Sequence, residues 1–150
     1  MRIALGRARW HHMDMAFTGP LEDRIAIREL HDTYADAGFR GDRQAWLDCW
    51  AQDCTWVTPF GELQGKDALA GQWDGLWSTL ETLAFFAVVG AIEVAGDTAR
   101  TRGYVRELAV MKEGPAQKIA GRYDDDLVRE DGMWKFASRR YTVLIREADD

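Results

Sequence analysis

The sequence predicts an α+β fold, a cone-like roll in which N-terminal helices pack on a strongly curved and mostly antiparallel sheet. Two observations predict this class. Apolar residues recur at helical spacing up to about residue 80, whereas residues 85–145 form a run of β-rich segments. The connections between those segments are short, which is typical of antiparallel neighbours. Helices followed by a run of strands are typical of α+β domains, in which the helices cover one face of the sheet.

The 150 residues suit one domain, which we place at residues 19–147. Residues 1–18 are expected to form a flexible N-terminal lead. This lead contains basic residues but lacks the apolar segment of a secretory signal. Met13 or Met15 is a natural alternative start.

Two consecutive helices are predicted from residue 20 onward. The first begins after Pro20, a residue suited to a first helical turn, and ends at Gly38 and Gly41. The second is short and runs from Asp42, a residue type favoured as N-cap, to Gln52.

The rest of the chain changes from one more helix to strands. "CTWVTPF" at residues 54–60 is rich in β-forming residues and predicts a short strand, and "GELQG" at 61–65 predicts a turn. A third helix is predicted over residues 66–80, where apolar residues recur at spacings of 4, 3 and 4. Four long strands are predicted at residues 85–95, 98–111, 116–130 and 133–145.

Composition narrows the range of functions. The net charge of −6 and the pI near 5.1 argue against nucleic-acid and anionic-membrane partners, because phosphate binding requires a basic surface. No apolar run approaches the ~18 residues of a membrane span, and a cytoplasmic location is expected. Seven tryptophans suit an apolar ligand cavity as well as a core. Cys49 and Cys54 form no C-x-x-C pair and are expected to be reduced, partly buried thiols.

Four segments resemble one known group of proteins. They are "IRELHDTYADAGFRGDRQAWLDCWAQDCTW", "FGELQGKDAL", "IEVAGDTART" and "GRYDDDLVREDGMWKFASRRY". Together they resemble the SnoaL-like branch of the nuclear-transport-factor-two-like superfamily over residues 21–146. "DGMWKFA" in particular is similar to the matching hairpin of scytalone dehydratase. The resemblance implies the cone-shaped fold, a small apolar or aromatic ligand, and a homodimer, with a trimer as the alternative.

The resemblance also carries the dehydratase site onto this chain, position by position. The polar catalytic groups of those enzymes fall on residues of different chemistry, namely Gly38, Phe39, Phe85, Met111, Gly121 and Tyr123. The catalytic groups of scytalone dehydratase are therefore not retained, and a scytalone dehydratase-like lyase would have to use other residues. The predicted ligand-binding set is Phe39, Trp56, Trp73, Trp77, Phe85, Met111 and Tyr123. Helically spaced aromatic residues are also typical of an ordinary core, so both interpretations of this set remain.

Strand parity selects one acid from the run "RYDDDLVRE" at residues 122–130. Alternate side chains of a strand point to opposite faces, and the set that contains Tyr123 and Asp125 is the more apolar. We therefore predict that Asp125 points into the cone and acts as a catalytic acid or base, because desolvation would raise its pKa. Asp124 and Asp126 are expected to be solvated. The alternative is that Asp125 pairs with an arginine at the rim.

Two further catalytic groups are predicted beside this acid. Arg140 shares a strand face with Trp134 and Phe136, which would direct it into the cone, although a bulge would put Arg139 there instead. Tyr34 lies on the apolar stripe of the first helix, where its hydroxyl could donate to a substrate oxygen. A structural ion pair and an ordinary buried tyrosine are the competing interpretations.

Glu107 and His31 are secondary candidates. Glu107 would be a second acid if the strand face that it shares with Val105 and Ala109 points inward. His31 follows Ile27 by one helical turn and is expected to be a hydrogen-bonded packing residue. The remaining arginines and acids of the strands are expected to pair across the outer face of the sheet.

Two functions fit these features. The first is a dehydratase or isomerase of an apolar or aromatic ring compound, working by metal-free acid–base chemistry with Asp125, Tyr34 and Arg140. The second is a non-catalytic ligand-binding or assembly subunit. It would be similar to the β subunits of ring-hydroxylating dioxygenases, which belong to the superfamily that this sequence resembles. No metal or organic cofactor is predicted for either.

Overall fold

The computed structural model describes residues 16–147, and within that range the chain forms three helices and seven strands. The helices are α1 (Leu21–Arg40), α2 (Arg43–Asp48) and α3 (Lys66–Thr79). The strands are β1 (Phe17–Thr18), β2 (Trp50–Thr58), β3 (Gly61–Gln64), β4 (Leu80–Ala95), β5 (Thr98–Met111), β6 (Gln117–Glu130) and β7 (Met133–Glu147). The predicted order of helices followed by long strands is confirmed.

All seven strands belong to one sheet, in the order β1-β4-β5-β6-β7-β2-β3. The long strands β4 to β7 pair antiparallel with their sequence neighbours, as their short connections predict. β1 joins β4 in parallel and β2 joins β7 in parallel. The sheet is therefore mixed but mostly antiparallel, and it ends in two edge strands without closing into a barrel.

The junction between α1 and α2 is set by a glycine and an aspartate. Gly41 adopts a left-handed backbone (φ 63°) and ends α1, as its lack of a side chain allows. Asp42 then caps α2 by accepting from the N–H of Ala45 at 3.0 Å, which confirms the predicted N-cap. α2 ends earlier than predicted, because Trp50 already pairs with Phe136 in the sheet.

Two boundaries in the strand region are corrected by the structure. "GELQG" is not a free turn, because its first four residues form β3 in a hairpin with β2. β4 begins at Leu80 rather than at residue 85, since Leu80 pairs with Met111 at the end of β5. Pairing with an existing partner strand extends each segment beyond what its own composition predicts.

The N-terminal lead predicted at residues 1–18 ends earlier than expected, because its last two residues belong to the sheet. Phe17 and Thr18 form β1 and pair in parallel with Ile92 and Glu93 of β4. The first 15 residues, including the alternative start positions, lie outside the described range.

The core lies between the helices and the inner face of the sheet. Ile27, Trp50 and Phe136 are completely buried there. Two irregularities interrupt the β6–β7 ladder, one after Ala120 and one after Asp126. Each bulge changes which side chains of β7 face inward, and together they arrange the site.

Candidate active site in the cone

A bulge in β7 decides which arginine enters the cone. Between Phe136 and Ser138, β7 carries one residue more than β6 does opposite them. This shift directs Arg139 inward, where it is 2% exposed, and leaves Arg140 exposed. The prediction that Arg140 reaches the cone is therefore wrong, and the bulge alternative that selects Arg139 is the observed arrangement.

Asp125 and Arg139 form an ion pair in the interior. Asp125 is 4% exposed and faces inward with Tyr123, as strand parity predicts. Arg139 Nε donates to Asp125 Oδ1 at 2.8 Å, and Nη2 donates to Oδ2 at 3.1 Å. The guanidinium carbon lies 4.4, 3.8 and 4.0 Å from the ring centroids of Tyr34, Tyr123 and Phe136. One carboxylate and three rings thus enclose the cation.

Thr101 and His31 complete the surroundings of this ion pair. Thr101 Oγ1 donates to Asp125 Oδ2 at 2.8 Å, and His31 Nε2 lies 3.0 Å from the same hydroxyl. Since the hydroxyl gives its one proton to the carboxylate, it accepts from His31, whose Nε2 therefore carries a proton. Burial lowers the pKa of His31 well below its ordinary value, and the charge of Arg139 acts in the same direction. His31 is a neutral, hydrogen-bonded packing residue, as expected.

We call His31, Thr101, Asp125 and Arg139 the buried network. Their polar side-chain atoms form hydrogen bonds with one another. Asp125 lines neither of the two cavities described below, and the void beside His31 and Arg139 measures only about 10 Å³. Burial raises the pKa of Asp125, and the contacts with Arg139 and Thr101 oppose that rise. Asp125 therefore fixes the position of Arg139, and its catalytic role stays a prediction.

A cavity of about 50 Å³, here called the inner cavity, lies between α1, α3 and the sheet. Most of its lining is aromatic, and it includes predicted site residues Tyr34, Trp56, Trp73, Trp77, Phe85 and Tyr123. The predicted set therefore largely meets around one space. That space is smaller than the ~150 Å³ that accommodates benzene in an engineered protein core.

A second space of about 170 Å³, here called the mouth pocket, adjoins the inner cavity. The two share the lining residues Trp56, Gln72, Leu76, Leu83 and Glu107. The mouth pocket reaches the surface, since the exposed side chains of Phe60 and Arg146 also line it. Its volume is comparable to that of a benzene-binding cavity.

Glu107 is the acid that these spaces share. Its strand face points inward, and it pairs in register with Phe85 on one side and Ile119 on the other. Tyr141 donates its hydroxyl proton to Glu107 Oε2 at 2.7 Å. Burial raises the pKa of Glu107, and the Tyr141 hydrogen bond opposes part of that rise. A half-buried carboxyl with one neutral partner thus lies beside a cavity.

The position of Tyr141 depends on Gly121. A Cβ atom built on Gly121 would lie 2.2 Å from the Tyr141 ring, so only glycine leaves room for it. The ring also packs against Tyr123 with centroids 4.8 Å apart. One of the two bulges of the β6–β7 ladder lies next to this glycine, between Ala120 and Gly121. Close backbone approach at a glycine therefore orients the hydroxyl that binds Glu107.

Two predicted ligand-binding residues do not line these spaces. Phe39 is 41% exposed, and its ring packs on Phe86 with centroids 5.1 Å apart. It follows cavity-lining Gly38 on α1 and therefore points away from the cone. Met111 ends β5 and is partly buried against the core instead. Both positions came from the family resemblance and not from the pattern of this chain.

Residues outside the cone follow the expected surface pattern. Asp124 accepts from Arg122 on the opposite face of β6 at 2.8 Å, and Asp126 is exposed. Burial raises the pKa of the Cys49 thiol to about 11, so it is protonated and unreactive at neutral pH. Residues 16–147 contain no cluster of three or more histidine, cysteine, aspartate or glutamate side chains that could hold a metal ion. Within the same range, no helix is long and apolar enough to cross a membrane.

Comparison with known proteins gives a consistent picture of the fold. A family model described as SnoaL-like domain matches residues 19–140. A candidate aromatic ring hydroxylase from Novosphingobium aromaticivorans is similar, with TM-score 0.80 and 26% identity over 85% of this chain and 93% of that one. A candidate scytalone dehydratase from N. aromaticivorans DSM 12444 has TM-score 0.78 and 22% identity over 85% and 87% of the two chains.

A third similar structure is the hexachlorocyclohexane dehydrochlorinase LinA-type3 from Novosphingobium barchaimii LL02. Its TM-score is 0.75, with 22% identity over 85% of this chain and 90% of that one. At this level of identity the likeness shows the fold alone, as it does for the candidate scytalone dehydratase. No curated protein sequence matches the chain significantly.

Proposed function

Because this chain belongs to the SnoaL-like family, we propose that it is a dehydratase- or isomerase-type enzyme that acts on an apolar or aromatic ring compound in the cone. Glu107 is the proposed acid–base residue, in place of Asp125. The proposal depends on one observation: Glu107 lines both the inner cavity and the mouth pocket, and burial raises its pKa. Acids with perturbed pKa values in clefts are typical of catalytic sites.

The contrast with Asp125 supports this choice. A general base needs a free lone pair within hydrogen-bond distance of the proton that it removes. Both oxygens of Asp125 accept from Arg139, and one also accepts from Thr101. Within the part of the chain that the structure describes, Glu107 has a single hydrogen bond, from Tyr141 to Oε2, and Oε1 has none.

In the proposed reaction, the Glu107 carboxylate removes a proton from a ring carbon, and the C–H electron pair moves into the ring system. For an isomerisation, the Glu107 carboxyl returns that proton to a different carbon. For a dehydration, the neighbouring C–O bond breaks and the leaving hydroxyl takes the proton, so that water departs and a C=C bond remains. Tyr141 holds the carboxylate in place throughout.

Two similar structures support the class of reaction. The names of a candidate scytalone dehydratase and of a hexachlorocyclohexane dehydrochlorinase describe the loss of water and of hydrogen chloride. Both are eliminations that begin or end with proton transfer at carbon. The raised pKa of Glu107 suits this chemistry, because the acid and base forms are then both accessible nearer neutral pH.

A second candidate function is a non-catalytic ligand-binding or assembly subunit. A candidate aromatic ring hydroxylase is similar to this chain at 26% identity, and an assembly subunit would be a component of such an enzyme. The two functions differ in one observable, because a binding subunit would hold a ring compound without exchanging its protons.

Proton exchange at carbon provides the test. Cyclic ketones, β-hydroxy ketones and chlorinated cyclohexanes would be incubated with the protein in D2O, and ring-proton loss and new alkene signals followed by NMR. We expect at least one compound to react, and we expect the rate to fall about 10²-fold or more in Glu107→Gln, in line with the loss of a general base. Asp126→Asn, which changes an exposed acid on the outer face of β6, is the matched control.

The proposal fails if every compound that binds keeps its ring protons. It also fails if Glu107→Gln retains the rate of the unmodified protein. Retained ring protons would favour the binding subunit. A retained rate in Glu107→Gln would favour Asp125 as the acid–base residue.

A further inference from the structure

Arg146 lies at the entrance to the cone because a bulge in β7 directs it there. Opposite Ala120 and Gly121 of β6, β7 carries one extra residue, Leu144. Side chains alternate between the two faces of a strand, and an extra residue shifts that alternation by one position. Val143 therefore lines the mouth pocket before the bulge, and Arg146 lines it after the bulge.

Glu107, Ile119 and Arg146 form a row across three neighbouring strands. Glu107 of β5 pairs in register with Ile119 of β6, and Ile119 pairs with Arg146 of β7. Residues directly opposite each other in an antiparallel pair share one face of the sheet, and all three line the mouth pocket. Since neighbouring strands lie ~5 Å apart, the backbones of the acid and the cation are separated by roughly 10 Å.

The two charges mark opposite ends of the mouth pocket. Glu107 also lines the inner cavity, whereas Arg146 is exposed at the surface. The part of the mouth-pocket lining that the structure describes contains no other lysine, arginine, aspartate or glutamate. A ligand in this pocket therefore has an acid at its inner end and a cation at its outer end.

Among residues 16–147, no acid forms an ion pair with Arg146. The adjacent Glu147 faces the opposite side of β7 and is paired with Arg106 at 2.9 Å. Glu107 accepts from Tyr141 instead. Burial and Glu107 raise the pKa of Tyr141, and Arg146 lowers it, so both charges act on this hydroxyl from either side. The guanidinium of Arg146 is thus available to an anion from solution.

We propose that the mouth pocket selects ring compounds that carry one carboxylate, and that Arg146 is the specificity-determining residue that binds this group. The ring lies in the mouth pocket, with its carboxylate toward the solvent and its opposite edge toward Glu107. This inference names the substrate class of the proposed enzyme and rests on the proposed function for the role of Glu107.

The donors at the entrance suit a carboxylate. The planar guanidinium fork of an arginine matches the two oxygens of a carboxylate in a bidentate pair. Gln117 lines the same pocket on the same face of β6 as Ile119 and adds a neutral amide donor near Arg146. One negative charge balances Arg146, whereas a phosphate would leave excess negative charge near Glu107.

Burial of the ligand favours the same orientation. The mouth pocket, at about 170 Å³, is comparable to the ~150 Å³ cavity that binds benzene, and Leu76, Leu80 and Leu83 line it. A carboxylate that is removed from water is strongly destabilised, but next to the exposed Arg146 it keeps part of its hydration. The reverse orientation would place the carboxylate beside Glu107. The ring carbons remote from the carboxylate are therefore the ones nearest Glu107.

A matched pair of ligands tests the proposal at neutral pH. Cyclohexanecarboxylate and cyclohexanecarboxamide have nearly the same shape, and only the former is charged. We expect calorimetric titration to show tighter binding of the carboxylate to the unmodified protein. Arg146→Gln should weaken carboxylate binding by about 5-fold, as for a partly exposed ion pair, and should change carboxamide binding by less than about 2-fold. Arg140→Gln removes the same charge from an exposed position of β7 and is the matched control.

Charge reversal gives an independent measurement. Arg146→Glu places an acid at the outer end of the pocket, so this variant should prefer cyclohexylmethylammonium to cyclohexanecarboxylate. The unmodified protein should have the opposite preference. Since Arg146 is exposed, its variants should keep the urea midpoint of the unmodified protein. A purely structural role of Arg146 would instead lower the affinity for all three ligands alike.

The proposal is overturned if neither cyclohexane ligand binds, or if the carboxylate and the carboxamide bind equally to the unmodified protein. It is also overturned if Arg146→Gln and Arg140→Gln weaken carboxylate binding alike, because the anion would then respond to the overall charge alone.

Proton exchange separates this proposal from the proposed function. Carboxylate binding that depends on Arg146, without exchange in any ring compound that binds, would reject the enzyme and retain the binding site. Exchange that depends on Glu107, without any preference for the carboxylate, would retain the enzyme and reject the role of Arg146.

Discussion

The cone contains two inward-facing acids on neighbouring strands, and their hydrogen-bond partners and neighbouring spaces differ. Asp125 on β6 accepts three hydrogen bonds from Arg139 and Thr101, and it lines neither the inner cavity nor the mouth pocket. Among residues 16–147, Glu107 on β5 has one hydrogen-bond partner, the neutral Tyr141, and it lines both the inner cavity and the mouth pocket. Burial raises the pKa of both acids.

This difference shows that burial of an acid does not by itself indicate a catalytic group. An ion pair of the Asp125–Arg139 kind uses the lone pairs of the acid to hold a cation in place. Glu107, in contrast, keeps the lone pairs of Oε1 and lines the inner cavity. The buried network should therefore govern stability, and Glu107 should govern chemistry.

The largest effect on stability is expected when the buried ion pair is broken. Arg139→Met leaves Asp125 without its cation in the interior, and loss of one partner of a buried pair costs about 3–5 kcal/mol. Urea denaturation at neutral pH should show this decrease in the free energy of unfolding. Arg140→Met, an exposed change at the next residue, should stay within about 0.5 kcal/mol of the unmodified protein. A loss below about 1 kcal/mol in Arg139→Met would mean that the pair is not structurally important.

An intermediate effect is expected at Gly121. Gly121→Ala places a Cβ atom 2.2 Å from the Tyr141 ring, and overpacking of this kind costs about 1–3 kcal/mol. Gly71→Ala is the opposite case, because nothing lies within 4 Å of its added Cβ inside α3. That change should stabilise the protein by up to about 1 kcal/mol.

Thermal and urea unfolding of both glycine variants would measure these effects. If the Gly121→Ala loss comes from Tyr141, it should be smaller in a Tyr141→Ala background. An equal loss in both backgrounds would assign the cost to the backbone of β6 instead.

The smallest effect, and the most diagnostic, is expected for Glu107→Gln. Since burial raises the folded-state pKa of Glu107 above that of the unfolded chain, the native state binds more protons. Its contribution to stability is therefore present below a pH of about 4.5 and is lost as the pH rises through the folded-state pKa. Gln cannot ionise, so the variant should become more stable relative to the unmodified protein as the pH increases.

Unfolding free energies of Glu107→Gln and the unmodified protein, measured from pH 4 to 8, would check this trend. Glu62→Gln, which changes an exposed acid on β3, is the control for the loss of one negative charge. A variant that is less stable than the unmodified protein at high pH would show that Glu107 has a structural role like that of Asp125.

Local sequence patterns were sufficient for most of the fold and for the inward orientation of Asp125. The change from helical spacing to β-rich segments predicted the α+β class, and Asp42 predicted the start of α2. Alternation along β6 separated Asp125 from Asp124 and Asp126, because neighbouring side chains of a strand must face opposite sides. These features depend on residues close together in the chain.

Tertiary structure decided the site. The bulge that replaces Arg140 with Arg139 arises from the register between β6 and β7, which no single segment specifies. Glu107 was ambiguous by parity alone, and only its pairing with Phe85 and Ile119 across two ladders directs it into the cone. The sequence by itself thus determined the elements and their buried faces, through local spacing. Which acid is paired and which one lines a cavity was decided by contacts between distant strands and helices, because burial and hydrogen bonding are properties of the assembled fold.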